Sequence, residues 1–396
     1  MKRTILICFL LLISTSISFS RFKWEYQPLP AGSWGFTGIS FVNTKEGVIV
    51  GSLNAIFRTT NGGNEWYRPI VVPDLPGQIV IQDVFLQQNG IGFIVGASGL
   101  VLKTIDSGKS WTKIDFPSND YLIKVFVTKE AVWIITNRNN VGKVYYSSDF
   151  GDSWQSISNI NLPYVSSIYF INEKIGFIGG AGKIFKTTDG GKNWQTFEIK
   201  PTLSVSNFFF LSDSLGWLVG GSKDKYLFLR TSDQGMTWDT INFPISDYIT
   251  SCYFLNDTVG FATTFTAKIY STTDGGKSWD LDFANDAPYS MLAKVIFQGN
   301  VGWAIGNNNM VLKLDLTLSS VNEEKASVCN LVFSSSEVYI YNLSGNLVAT
   351  VHIPNLWLED MENYLKSELN LANGIYFIVP KRFAGKWGQR KILIIN

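Results

Sequence analysis

The chain predicts an all-β fold, a seven-bladed β-propeller followed by a small C-terminal β-sandwich, and three observations carry that reading. An eight-residue phrase recurs six times, and the Trp that ends each copy lies 45, 43, 40, 44 and 41 positions after the one before it. Between copies run short apolar, β-rich stretches broken by Gly, and a period of roughly 40–50 residues with strand-rich units is the signature of a propeller. The composition agrees: among 396 residues there are 35 Gly, 28 Phe, 16 Tyr and 13 Trp, the mixture that many tight turns and aromatic-packed sheets require.

The phrase reads T-T-N-G-G-N-E-W from Thr59 to Trp66 and T-I-D-S-G-K-S-W from Thr104 to Trp111. Further copies end at Trp154, Trp194, Trp238 and Trp279, so the template is Ser/Thr-x-Asp-x-Gly-x-x-Trp. It makes sense as a hairpin turn. Asp106, Asp149, Asp189, Asp233 and Asp274 stand at the third position, where a carboxylate accepts backbone N–H groups, and Asn61 does the same with its carbonyl. The fixed Gly suits a backbone held at positive φ. Each Trp is placed to pack between neighbouring sheets, burying about 150–250 Å², which at about 25 cal/mol/Å² is at most roughly 4–6 kcal/mol per blade.

The strands around the phrase follow in order. An inner strand A comes first in each unit, for example Ile81 to Leu86 or Ile249 to Leu255, then a strand B such as Gly92-Phe93-Ile94-Val95, then a strand C such as Leu100 to Lys103. The phrase is the C–D turn, and strand D follows it. A seventh unit is cut short. Met291 to Phe297, Gly302 to Ile305 and Met310 to Lys313 read as its strands A, B and C, but no phrase and no Trp come after them. The missing strand lies at the other end of the chain: Phe22 to Pro28 matches Trp111 to Pro117 in pattern, and Trp24 sits 42 residues before Trp66. The N-terminal strand is therefore expected to close the ring as the outer edge of the last blade.

The repeat resembles the Asp-box (BNR) family, and most closely its photosystem II stability/assembly factor type, over about 300 residues. The resemblance implies a structural box lying away from the ligand face, and a binding or assembly role. The tail resembles the C-terminal sorting domain of type IX secretion substrates, on an I-Y-N-x-x-G-x-x-V strand from Ile340 to Val348, an L-x-x-G-I-Y strand from Leu371 to Tyr376, and a basic-then-apolar final strand from Arg390 to Ile395. It lacks the usual Pro-Asn-Pro start and carries an acidic insert from Trp357 to Tyr364. That resemblance implies an immunoglobulin-like β-sandwich and the type IX secretion machinery as a partner. With a basic start at Lys2 and Arg3, an apolar run from Ile5 to Ile13 and a small-x-small site at Ser18 to Ser20, residues 1–20 read as a secretory signal. The expected organisation is signal 1–20, propeller 21–317, linker 318–328 and sorting domain 329–396, with the mature protein secreted or held at the outer cell surface.

Composition removes several functions. The formal charge is +1, and 31 basic against 32 acidic residues remain once Lys2 and Arg3 are gone, so nothing favours nucleic acid. The apolar run is too short to anchor as a transmembrane segment. His352, the single histidine, lies in the tail, which leaves the propeller without a Ser-His-Asp or His-based zinc site; no metal and no cofactor are expected. After cleavage only Cys252 and Cys329 remain, one in a predicted strand and one at a domain edge, so the chain is not a disulfide scaffold. Sialidase chemistry needs an arginine triad and an Arg-Ile-Pro motif. Arg58 and Arg230 instead occupy the repeat position filled by Lys103 and Lys186 elsewhere, and the motif is absent.

In the order A to D, the D–A and B–C loops share the face opposite the boxes. Five blades place a large aromatic at the start of strand A there: Trp34, Tyr121, Tyr164, Tyr248 and Tyr289. These are the candidate ligand-binding residues, suited to a protein or a glycan, and the alternative is that they pack the D–A hinges. Asp120, Asp247 and Asp286 stand before strands A, with Asp83 inside one; they are expected to be solvated loop acids, and a glycoside hydrolase built on them is the second reading. The first is a secreted, non-enzymatic binding or assembly propeller.

Overall fold

In a computed structural model of the protein, the described residues are 22–316 except 76, 140, 163, 200–202 and 223–224, together with the backbone of four strands between 337 and 395. Seven antiparallel sheets follow one another along residues 22–316, and each inner strand packs on the next. The inner strands are Phe36–Phe41, Ile81–Leu86, Tyr121–Val127, Val165–Phe170, Ser204–Phe210, Ile249–Phe254 and Leu292–Gln298, one per blade from 1 to 7. The last of them contacts the first, so the ring is closed and seven-bladed.

Closure is made as expected. Glu25 and Tyr26 pair antiparallel with Lys313 and Leu312 on strand C of blade 7, and the Gln27 amide donates to the Val311 carbonyl at 2.8 Å. Behind this short ladder Trp24 is buried against Phe261 and Phe297, with ring centroids 5.9 and 6.0 Å away. The absent seventh box is thus replaced in space by the chain's N-terminal segment.

One blade departs from the expected four strands. Blade 1 is three-stranded, and its outer strand is reduced to a single bridge between Arg58 and Tyr67. The cause is local. Pro69 removes a ladder donor just past that bridge, and the chain then turns to the neighbouring blade, where the Ile70 amide donates to Lys109 O and the Trp111 amide to Val71 O.

Each inner strand carries a β-bulge near its start, one residue in for five blades and two residues in for blades 3 and 5. The extra residues are Thr37, Gln82, Ile123, Ser166, Ser206, Thr250 and Ala293. Three of the four hydroxyl-bearing ones sew blades together: Ser166 and Ser206 donate to the carbonyls of Val205 and Ile249 on the next inner strand at 2.5 Å, and Thr37 to that of Ile81 at 2.7 Å, while Thr250 bonds within its own blade to Thr263.

Beyond the propeller, strands Leu347–His352, Glu337–Asn342, Gly374–Pro380 and Lys391–Ile395 form one antiparallel sheet in that order. The expected signal (1–20), the linker (318–328), Cys329 and the acidic insert lie outside the described residues. No helix of the described residues is long and apolar enough to cross a membrane.

Candidate functional site

The two faces of the ring are built differently. On one, the box turns lean on the A–B turns of their own blades: the amides of Gly62, Gly190 and Gly275 donate to the carbonyls of Lys45, Lys174 and Thr258 at 2.8–2.9 Å. Within each box the first residue's hydroxyl caps the turn. Thr104 Oγ1 donates to Asp106 Oδ1 at 2.8 Å and accepts the Gly108 amide at 3.0 Å. The seventh residue completes it, with the Ser110 amide on Asp106 Oδ1 at 2.9 Å and its hydroxyl on Oδ2 at 2.6 Å. Asp149, Asp189, Asp233 and Asp274 repeat this pattern, and Asn61 keeps the bonds its carbonyl allows, to Thr59 and Glu65. The fifth-position glycines sit at positive φ, 77° at Gly108 and 84° at Gly191, and a Cβ there would meet the preceding blade, 2.5 Å from Val48 and 2.2 Å from Trp133. The box tryptophans fill the seams between blades. Trp66 lies edge-on to Phe41, Trp111 is fully buried with Val48 and Val50, and Trp154, Trp194, Trp238 and Trp279 pack on Phe116, Trp133, Phe177 and Phe228. The boxes are turn closures that fix one blade on another.

On the opposite face, three of the five aromatics share a neighbourhood. Tyr121 and Tyr164 are 38 % and 43 % exposed, and burial together with the Tyr164 phenol pushes the phenols of both Tyr121 and Tyr248 up. Tyr121 is held by Gln82 of blade 2, whose amide donates to its hydroxyl. Tyr248 stands beside Ser206, the bulge residue of blade 5, and its ring meets Phe265 at 6.4 Å. The result is an arc over blades 2 to 6. Trp34 and Tyr289 stand apart from it. Trp34 lies edge-on to Phe57 at 5.2 Å with the Arg68 guanidinium over it, a packing position at the seam of blades 7 and 1. Tyr289 is 95 % exposed on its loop. Gln82, Ser206 and Phe265 were not singled out by the sequence pattern; Phe265, half-exposed in a B–C turn, is the one a search for apolar loop residues would find.

The loop acids are not solvated, contrary to expectation, except Asp286. Asp120 is buried, 3.4 Å from both Arg138 and Lys143 and 3.5 Å from the Thr136 hydroxyl. Burial pushes its carboxyl up, but the Ser118 hydroxyl, Lys143 and Arg138 together hold it below the usual carboxylate range. Asp247 is buried on the Thr266 hydroxyl at 2.5 Å and the Tyr248 amide at 2.7 Å. Both acids clasp the B–C end of their own blade, which is why they are drawn in. Asp83 points into the central channel, where Lys124 and Lys294 lie 3.6 and 3.5 Å from its Oδ1. Cys252 is a buried free thiol on the channel wall, its ionisation pushed up by burial. Among the described residues no group of three or more His, Cys, Asp or Glu side chains is arranged to hold a metal.

Comparison with known proteins agrees with this architecture. Over 123 residues the chain is 33 % identical to a photosystem II assembly lipoprotein, Ycf48, of Synechococcus sp. (strain CC9902), which is 30 % of this chain and 35 % of that protein. Over 147 residues it is 27 % identical to the chloroplastic photosystem II stability/assembly factor HCF136 of Oryza sativa subsp. japonica, 34 % of this chain and 33 % of that one. The chain thus spans about a third of the length of these relatives. Among solved structures, Ycf48 bound to a D1 peptide superposes with a TM-score of 0.61 at 20 % identity, over 74 % of this chain and 96 % of that one. A GH74 xyloglucanase from Xanthomonas campestris superposes with a TM-score of 0.59 at 13 % identity, over 74 % of this chain and 54 % of the enzyme, a likeness of fold alone. The model of the photosynthesis system II assembly factor YCF48 family matches residues 17–168 and 231–317, more than half of the sequence, and the chain belongs to that family.

Proposed function

We propose that the protein is a non-enzymatic binding propeller, exported and displayed outside the cell, that holds an extended segment of a partner protein across the D–A/B–C face. The observation that carries this reading is the arc of Gln82, Tyr121, Tyr164, Ser206 and Tyr248. Amphipathic rings with a hydroxyl at the tip pack against side chains and bond to an exposed peptide backbone at the same time, and loops on a rigid scaffold are where specificity is varied. A family member in complex with a D1 peptide supports a peptide rather than a sugar. Hydrolysis is disfavoured by the acids themselves. Asp83 and Asp120 are each neutralised by lysine or arginine, and Asp247 is spent on its own blade's turn, so among these acids only Asp286 is solvated and no pair of them is free for acid and base work. The signal-like residues 1–20 and the tail's likeness to a sorting domain support export, with the type IX secretion machinery as the tail's partner.

The test is retention of the mature chain on a peptide array and a glycan array, with polysaccharide digestion assayed in parallel. Tyr121→Ala and Tyr164→Ala are expected to lower retention on the best peptides about tenfold with little change in melting, and Tyr248→Phe to lower it less. Asp189→Ala should lose about 1 kcal/mol of stability and leave retention unchanged. Retention indifferent to the tyrosine variants, preference for glycans, or release of sugar products would each overturn the reading.

A further inference from the structure

Along the axis of the ring runs a channel of about 700 Å³, walled by the seven inner strands. That volume lies within the range of about 300–1,000 Å³ that ordinary ligand pockets occupy. Its middle tier is charged. Asp83 is the one acid among the channel-lining residues, and Lys124 and Lys294 both approach its Oδ1, at 3.6 and 3.5 Å, while its Oδ2 accepts the Val125 amide at 3.3 Å. Lys294 belongs to blade 7 and Asp83 to blade 2. It reaches across because blade 1 places Gly38 at this level, with no side chain in the way and no room for one: a Cβ would lie 2.9 Å from the Asp83 Cα. Two ammonium groups against one carboxylate leave a net charge of +1 inside the protein. An uncompensated charge shielded from water is costly; burial pushes the Lys294 amine down and Lys124 adds to the push, with Asp83 opposing both. Yet the lysine side chains keep 26 % and 23 % exposure, so a ligand in the channel reaches them.

One step toward the box face the wall becomes aromatic. Phe85, Phe126, Tyr169, Phe209 and Tyr253 occupy the same position on five successive blades. Their rings follow one another at 4.9 Å from Phe85 to Phe126, 5.4 Å from Phe126 to Tyr169 and 4.4 Å from Phe209 to Tyr253. A cationic tier directly above an aromatic collar is complementary to one kind of molecule. We propose that the central channel is a binding site for a small monocarboxylate with an aromatic or branched apolar body, its carboxylate between Lys124 and Lys294 and its body in the collar. The anion restores charge balance to the middle tier, and the body covers half-buried rings. This site does not rest on the peptide reading, although Ser206 of the arc also lines the channel.

The experiment is calorimetric titration of the mature full chain with 4-phenylbutyrate, with 4-phenylbutylamine and inorganic phosphate as controls. The acid is expected to bind, the amine of the same shape to fail, and phosphate, which lacks the body, to bind at least tenfold more weakly. Lys294→Gln and Lys124→Gln should each weaken the acid about tenfold. Asp83→Asn, which raises the tier from +1 to +2, should tighten it several-fold, a gain that a purely structural role for Asp83 would not produce. No binding to either the native chain or Asp83→Asn, equal affinity for acid and amine, or affinity unmoved in whichever lysine variant folds would overturn the proposal. The acid–amine comparison needs no variant at all.

Discussion

At the third position of five boxes a single carboxylate oxygen takes both the first residue's hydroxyl and the seventh residue's amide, and the other oxygen takes the seventh side chain. Bonds of this kind favour the ionised form. At Asp149 the Ser153 hydroxyl, the Ser153 amide and the Ser147 hydroxyl hold the carboxyl at about 2, and at Asp233 Thr237 and Thr231 do the same. A carboxyl whose folded value lies below its ordinary 3.8 contributes stability that is fully present above about 4 and is lost as pH falls through about 2. The melting temperature is therefore expected to fall between about pH 4 and pH 2. The chain itself contains the control for this: Asn61 closes its box without a titrating group. In the double variant Asp149→Asn/Asp233→Asn the decline across that window should be shallower while melting at pH 7 changes little. Equal slopes in thermal scans from pH 2 to 7 would place the acid sensitivity elsewhere.

Among elements, the N-terminal strand does the most with the fewest residues. It makes a two-residue ladder, yet it brings Phe22 and Trp24 into a cluster with Phe261, Phe297 and Leu312 from blades 6 and 7. Trp24→Ala should cost about 3–5 kcal/mol, the usual range for emptying a buried aromatic site. Deleting residues 22–28 should cost more, because it also bares the edge of blade 7. Ile105→Ala, at a site 74 % exposed, is the control. Chemical denaturation of the three variants checks this, and a deletion as stable as the control would mean that the strand does not hold the ring. This closure was legible in the sequence because the box Trp and the strand after it repeat at fixed spacing even when split between the two ends of the chain. The outer strand of blade 1 was not, since one proline outweighs a repeat that otherwise continues. Nor were the bulges. An inserted residue shifts the in–out alternation by one, so a period-two reading of Ile81 to Leu86 turns Asp83 toward a neighbouring blade when it faces the channel.

For the whole molecule, the same contrast separates fold from site. Seven units of one pattern announce themselves in one dimension, whereas the arc of Tyr121, Tyr164 and Tyr248 and the triad of Asp83, Lys124 and Lys294 join residues up to 211 positions apart that no periodicity links. Trp34 shares the sequence position of the tyrosines and still packs on Phe57, because blade 1 lies against the closing blade and has a ring to offer it. The division between propeller and tail follows from closure. The ring is completed by Glu25 and Tyr26 on Lys313 and Leu312, so every described strand of the seven blades lies before residue 317 and none is borrowed from the tail. A chain lacking residues 329–396 should therefore fold and melt like the full protein. If the tail is the sorting domain its motifs resemble, that folded propeller should accumulate in the periplasm of a host with type IX secretion, while the full chain reaches the surface or the medium. Fractionation of the two, with melting measured on the truncated protein, separates a targeting role from a structural one. A truncated propeller that folds and still appears outside the cell would remove the type IX assignment, and one that fails to fold would make the tail a structural part of the propeller.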